Sequence, residues 1–351
     1  MLILFVLHYI FIDICHCDNF REIYIEDERD DIINTKVIPK VKQWAPKIWF
    51  DPQEKFFPLN VDSFLKEITP EEKNGQKYSD DSYSKLPTGP NSKNYYLITK
   101  QNRDTLLKDN KSYLHGVNPT TEEVSIYAHV HTCDTNYDNF IITYWFFYPF
   151  NEGKEICTVG NQTPIPVPQI FNRCLGKLRF YGTHVGDWER VSLIIKNGRP
   201  TLLFLSVHES GVYYIYDETR ESFKLFEAMS EGLGQPSSPP ETVQLDDHGH
   251  PILFSAKGSH ALWAGVGQHQ YTKLRLRELS DTVDYGTAWE TWHSVQVFYS
   301  DETTPEWFNY QGRWGNPGSN CLGLGNFLCE ASDGPPGLVT RQPDFSCPPK
   351  S

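Results

Sequence analysis

A chain of 351 residues is long enough for one large β domain or two smaller ones. Aromatic residues make up 14% of it, and glycine and proline contribute 24 each, which favours short strands and tight turns over a helical bundle. The formal charge of −13 argues against a nucleic-acid binder, which needs a basic stripe to meet phosphates, and it disfavours anionic membranes as a general electrostatic partner.

In chain order, Met1 to Cys17 reads as a secretory signal peptide: an apolar run from Leu2 to Ile12 is followed by Cys15 and Cys17 where a signal peptidase would cut. The run is too short to span a bilayer comfortably. Removing it leaves six of the eight cysteines, Cys133, Cys157, Cys174, Cys321, Cys329 and Cys347, an even number suited to disulfides in an oxidising compartment. Asn110-Lys111-Ser112 and Asn161-Gln162-Thr163 are glycosylation sequons in loop-like surroundings, so Asn110 and Asn161 are expected to carry glycans. Residues 18–40 hold the run Glu26-Asp27-Glu28-Arg29-Asp30-Asp31 and are expected to form an acidic flexible arm, with structure starting near Val41. Trp44 to Pro52 has two prolines and several aromatics and reads as an edge strand. Val61, Phe64, Leu65 and Ile68 share one face of a short helix.

Ser125 to His131 alternates as a strand should, and a second strand begins at Asn139. Its continuation, Tyr144-Trp145-Phe146-Phe147-Tyr148-Pro149-Phe150-Asn151, is apolar throughout and is expected to be covered on both faces. A Pro-rich loop after it contains Cys157 and Cys174, and their pairing, which closes a modest loop, leads among the connectivities that sequence leaves open. Thr183-His184-Val185-Gly186-Asp187-Trp188-Glu189 then runs into the strand Arg190 to Ile195. Alternation puts Asp187 and Glu189 on the face that carries Val191, Leu193 and Ile195, so two carboxylates face inward and need a proton, a basic partner or a cation. Asn197-Gly198 marks a hairpin. A two-residue loop there sets His208 opposite Asp187, and a four-residue loop sets it opposite Glu189. Pro251 to Ser255 is a further strand that delivers Lys257-Gly258-Ser259-His260. From about Trp307 the chain is loop-rich and is expected to be stapled to the body by disulfides.

Three readings of this polar cluster compete. Asp187 and Glu189 with His184, His208 and secondarily His260 suit a divalent cation, Ca²⁺ or Mg²⁺ first. His184 lies on the opposite face in ideal alternation, but a bulge at Gly186 would bring it round. A carboxylate with a histidine also suits acid/base hydrolysis, although no nucleophile motif accompanies it and no catalytic residue is assigned. The third reading is structural, with basic or backbone groups satisfying the acids. No phosphate-binding glycine loop, zinc-type cysteine pair or dinucleotide fingerprint is present.

The segments Trp44 to Pro52, Tyr144 to Asn151, His184-Val185-Gly186-Asp187-Trp188-Glu189, Gly258-Ser259-His260-Ala261, Trp307-Phe308-Asn309-Tyr310 and Gly312-Arg313-Trp314-Gly315 together resemble the vacuolar protein sorting-associated protein 62 family, in the same order and over most of the chain from Val41. The resemblance implies a link to vacuolar targeting. A shorter likeness, to NEP1-like necrosis-inducing cytolysins, rests on His184, Asp187 and Glu189, with Asn151 standing where that family has an aspartate. It implies a secreted β-sandwich whose motif holds a divalent cation at a membrane glycolipid, and it adds Asn151 to the candidate ligands.

The combined expectation is an all-β protein: a jelly-roll-like β-sandwich over 41–351 with long loops, a few short helices and disulfides. It would be secreted, or alternatively lumenal in the vacuole or endomembrane system. Its expected function is non-catalytic binding of a glycan or glycolipid through a divalent cation, with membrane damage as an extension. A hydrolase and a structural or vacuolar-targeting protein are the alternatives.

Overall fold

The computed structural model describes residues 29–78, 86–160, 165–167, 173–208, 210–229, 236–274, 277–321 and 329–347. The leader at 1–17 and the sequon residue Asn161 lie outside them. Asn110 is exposed on a turn. No helix among the described residues is long and apolar enough to cross a membrane.

From Arg29 onward the expected flexible arm is instead helical, through to Trp44. Ile33, Val37, Val41 and Trp44 recur at three- and four-residue spacing, all lie within 7% exposure, and join the main core. The segment Ile33–Val37 is wound as a π-helix just before Pro39. Proline has no amide to give the carbonyl four residues back and its ring presses on it, and a wider turn relieves both.

The architecture is all-β and sandwich-like. One sheet has eight strands in the order Thr242–Val243, Ser222–Met229, Ser210–Asp217, Arg199–Val207, His184–Lys196, Phe140–Asn151, Ile126–Thr132, Val295–Tyr299. Most neighbours are antiparallel, while the last pair is parallel. A four-stranded sheet, Leu262–Trp263, Ile252–Ser255, Lys47–Phe50, Ala288–Glu290, faces it. Lys47–Phe50 is therefore an inner strand, not the edge expected, with Pro46 and Pro52 kept just outside its ladder. The core between the sheets includes Phe50, Tyr144, Phe146, Tyr148, Val191 and Leu193.

The other face of the large sheet is also covered. Trp145, Phe147, Val185 and Trp188 pack against Phe64 of the short helix Val61–Leu65 and against Trp307, Tyr310 and Trp314. Burial on both faces is the reason the Phe140–Asn151 strand is apolar at nearly every position.

Among the described residues three disulfides form, Cys133–Cys347, Cys157–Cys174 and Cys321–Cys329. The Cys157–Cys174 expectation holds, and Cys133–Cys347 is the staple between the C-terminal part and the body. The strap it anchors crosses the motif strand. The Arg341 guanidinium donates to the Trp188 carbonyl oxygen at 3.1 Å and lies 5.5 Å over the Trp145 ring. Asp344 accepts from Arg190 and from the Ser192 hydroxyl.

Candidate functional site

The strands Phe140–Asn151 and His184–Lys196 overrun their outer neighbours. The ladder to Ile126–Thr132 ends at the Tyr127–Trp145 pair, and the ladder to Arg199–Val207 ends at the Val191–Leu205 pair. Beyond those points the two strands continue as a ribbon in which Tyr148 pairs with Asp187 and Asn151 with His184. Pro149 is tolerated there because its missing amide falls where there is no neighbour on one side. Gly186 adopts φ +69°, and a Cβ on it would stand 2.6 Å from the Trp314 carbonyl oxygen. The ladder keeps one register across Gly186, so left-handed backbone rather than an inserted residue brings His184 round to Asp187.

As alternation requires, Asp187 and Glu189 point between the sheets, each 6% exposed. Asp187 Oδ2 accepts from the Asn151 amide at 2.9 Å and lies 3.0 Å from His260 Nδ1. Asp187 Oδ1 accepts the Trp188 amide at 3.1 Å and is 4.0 Å from His184 Nε2. The other His260 nitrogen, Nε2, lies 3.0 Å from the Phe56 carbonyl oxygen, and the ring is stacked on Tyr148 with centroids 3.9 Å apart. Glu54 closes the floor: its carboxylate takes the amides of Lys55, Phe56 and Gly258.

Charge in this pocket is uneven. Burial pushes the Asp187 pKa up, but the His260 hydrogen bond and the nearby imidazoles outweigh it and hold the group below the usual carboxylate range. Glu189 is driven well above that range by burial and by Asp187 beside it, so it holds a proton. Burial lowers the His184 pKa despite Asp187. With Nδ1 set 2.7 Å from the Gly186 carbonyl, His184 is a neutral imidazole with its proton on that nitrogen.

His208 does not join this group. A bulge at Thr201 shifts the hairpin register by one residue: Pro200 faces Ile195, but Leu202 faces Ile194. The two-residue Asn197-Gly198 loop forms as expected, with Arg199 facing Lys196, but the one-residue slip beyond it changes which face a side chain takes and carries His208 away from Asp187. His208, with φ +54°, instead sets Nε2 2.9 Å from Asp281 Oδ2. Asp281 is fully buried and also accepts from Lys154 Nζ, the Ser259 hydroxyl and Trp263 Nε1. Burial opposes its ionisation, yet His208 and Lys154 hold its pKa far below the ordinary value.

Among the candidates, therefore, Asn151, His184, Asp187, Glu189 and the secondary candidate His260 come together, while His208 belongs to a neighbouring centre. Glu54, Lys154, Asp281 and Arg341 were not foreseen. Glu54 follows the Trp/Pro-rich segment, and that proximity was the available cue. Asp281 lies in the polar strand Arg277–Val283, where no local pattern marks it.

The profile of the family described as vacuolar protein sorting-associated protein 62 matches residues 32–221, more than half of the chain. The chain belongs to this family. Among curated proteins it is 24% identical over 323 residues to the putative vacuolar protein sorting-associated protein TDA6 of Saccharomyces cerevisiae, covering 83% of this chain and 63% of that protein. It is 24% identical over 303 residues to vacuolar protein sorting-associated protein 62 of the same yeast, covering 78% and 58%. The chain thus spans about three fifths of the length of these relatives. Solved structures similar to it include necrosis and ethylene inducing protein 2 from the agent of cocoa's witches' broom disease, at 12% identity and a TM-score of 0.25 over 73% of this chain and 71% of that one. Another is NLPPya in complex with glucosamine, at 8% identity and a TM-score of 0.28 over 83% and 80%.

A directly bound divalent cation needs oxygen or imidazole lone pairs turned towards one point. Here two of the groups nearest Asp187, Asn151 and His260, are donors to Oδ2, and only the unprotonated Nε2 of His184 turns a lone pair towards Oδ1, from 4.0 Å. The Asn151 oxygen accepts the Gly153 amide at 2.7 Å, which fixes the side chain with its N–H₂ towards Asp187, and His260 donates to the same carboxylate oxygen. Among the described residues, no three His, Cys, Asp or Glu side chains form a group that could hold a metal ion. As arranged, these residues do not fit a directly bound divalent ion.

A different feature opens beside the centre. Two adjoining cavities of about 340 and 370 Å³ share Arg103 and Ser319. The first reaches Phe150 and Thr183, the chain neighbours of Asn151 and His184.

Proposed function

We propose that this chain is a non-catalytic recognition protein for a glycan, acting in an oxidising compartment of the endomembrane lumen or cell exterior. The trough formed by the two cavities carries the reading. It offers amides and hydroxyls from Gln101, Asn102, Asn316 and Ser319, and charged groups from Arg103, Arg179 and Glu330. Sugar hydroxyls both donate and accept, and such a mixed set on ordered backbone meets them. Phe180, 39% exposed at the rim, supplies a ring for the apolar face of a pyranose. The HVGDWE centre positions the trough by pinning the strand ends that form its inner wall.

Hydrolysis is the weaker reading because Asp187 and Glu189 are 6% exposed and His260 is 0% exposed, leaving a substrate no approach. Three disulfides and the yeast relatives' association with vacuolar protein sorting support the lumenal or extracellular placement. Cation dependence and membrane damage are left out, since the donors around Asp187 do not fit the ion.

A glycan array followed by calorimetry tests the proposal. At least one glycan should bind, Arg179→Ala should weaken it tenfold or more at an unchanged melting temperature, and no sugar should be released. No binding, equal binding by both proteins, or turnover of the glycan would each overturn it.

A further inference from the structure

We propose that His260, held as an imidazolium between Asp187 and the Phe56 carbonyl, is the built-in counter-cation of the HVGDWE centre and stands in for the divalent ion that the cytolysin likeness implies. The centre then assembles without metal, whatever ligand the trough takes.

The geometry leaves His260 little choice. A neutral imidazole has one N–H and one lone pair, so it can satisfy only one of two acceptors. Both His260 nitrogens face acceptors at 3.0 Å, a carboxylate oxygen on one side and a peptide oxygen on the other. The ring cannot turn away or trade a partner for water, because it is 0% exposed and lies flat on Tyr148, with 2° between the planes. Its backbone is fixed as well, at φ +59° with its amide bonded to the Ala256 carbonyl. Such a conformation in a non-glycine residue persists where the surroundings over-determine it.

The charged and titratable neighbours agree. The carboxylates of Asp187 and Glu54 face the ring, and His184 and Glu189 lie beyond Asp187.

Asn151 completes the arrangement. A carboxylate there would set a second anion where the amide now donates to Asp187 at 2.9 Å, and two carboxylates that close need a cation between them. The amide removes that need and gives Asp187 a donor in its place. Asparagine at 151 and imidazolium at 260 are thus two halves of one substitution for an ion.

Chelator-treated wild type, Asp187→Asn and the double variant Asn151→Asp/His260→Gln would be melted and titrated with Ca²⁺, Mg²⁺ and Mn²⁺ at neutral pH. The ring nitrogens of His260 would be read by ¹⁵N NMR in the wild type. The wild type should melt at one temperature with and without millimolar metal, and both His260 nitrogens should carry protons. The double variant should gain a metal-dependent rise of several degrees. A metal-dependent rise in the wild type that Asp187→Asn abolishes would overturn the proposal, as would a neutral His260 ring or a folded double variant that ignores metal. If the double variant does not fold, the two wild-type measurements decide.

Discussion

Replacing Asp281 with asparagine tests whether the neighbouring centre is held by charge. The carboxylate is fully buried, with Lys154 and Ser259 donating to Oδ1 and His208 and Trp263 to Oδ2. Whichever way an asparagine turned, its N–H₂ would face two donors in place of an acceptor. Removing one partner of a buried ion pair costs about 3–5 kcal/mol. Lys154 and His208 keep 19% and 24% of their side chains exposed and regain some water, which places Asp281→Asn near the lower end, about 3 kcal/mol. For a chain of 351 residues that corresponds to a fall of about 4 °C in Tm. The acid side gives an independent check. Because folding depresses the Asp281 pKa, its contribution is whole above the unfolded value near pH 4 and is lost as pH falls towards the folded one. Urea unfolding of both proteins at pH 7, 5, 4 and 3 should show a gap that holds to pH 5 and then narrows. A gap below about 1 kcal/mol at pH 7, or one equally wide at pH 3, would refute the reasoning.

Glu189→Gln should cost under about 1 kcal/mol at pH 7, because the wild-type side chain is already protonated. A raised carboxyl pKa means that wild-type stability falls as pH rises from about 4.3 towards the folded value, so the variant should gain on the wild type from pH 5 to 8. A constant difference in urea midpoint would contradict that. Gly186→Ala should lose about 2–3 kcal/mol, since φ is +69° and the new methyl would meet the Trp314 carbonyl; a loss below about 0.5 kcal/mol on chemical denaturation would show the strand end to be pliable. Serine at both Cys157 and Cys174 should cost about 3 kcal/mol for a bridge spanning 17 positions, read as a drop in Tm that reductant does not deepen at that bridge.

What could be read from the sequence were the features with a local period. Alternation put Asp187, Glu189, Val191, Leu193 and Ile195 on one face, and the structure keeps them there. The unbroken apolar run ending at Asn151 correctly signalled cover on both sides. His208 was misplaced because a bulge at Thr201 leaves no trace in residue type, yet one extra residue reverses the facing of everything beyond it. The helix at 29–44 did have a signal, Ile33, Val37, Val41 and Trp44, but the acidic run before it dominated the reading. Asp281 had none: its partners His208 and Lys154 lie 73 and 127 positions away, and only the folded chain brings them together.

The Cys133–Cys347 bridge spans 214 positions and so closes a covalent ring around the central strands, from the Phe140 strand to the strap. A protease that severs one exposed loop inside that ring opens the chain without dividing the molecule. Nicked protein should therefore run as a single species on a non-reducing gel and separate into two fragments only after reduction. In a protease-rich compartment, a cut would become a change of connectivity and the strap would stay tethered to the body.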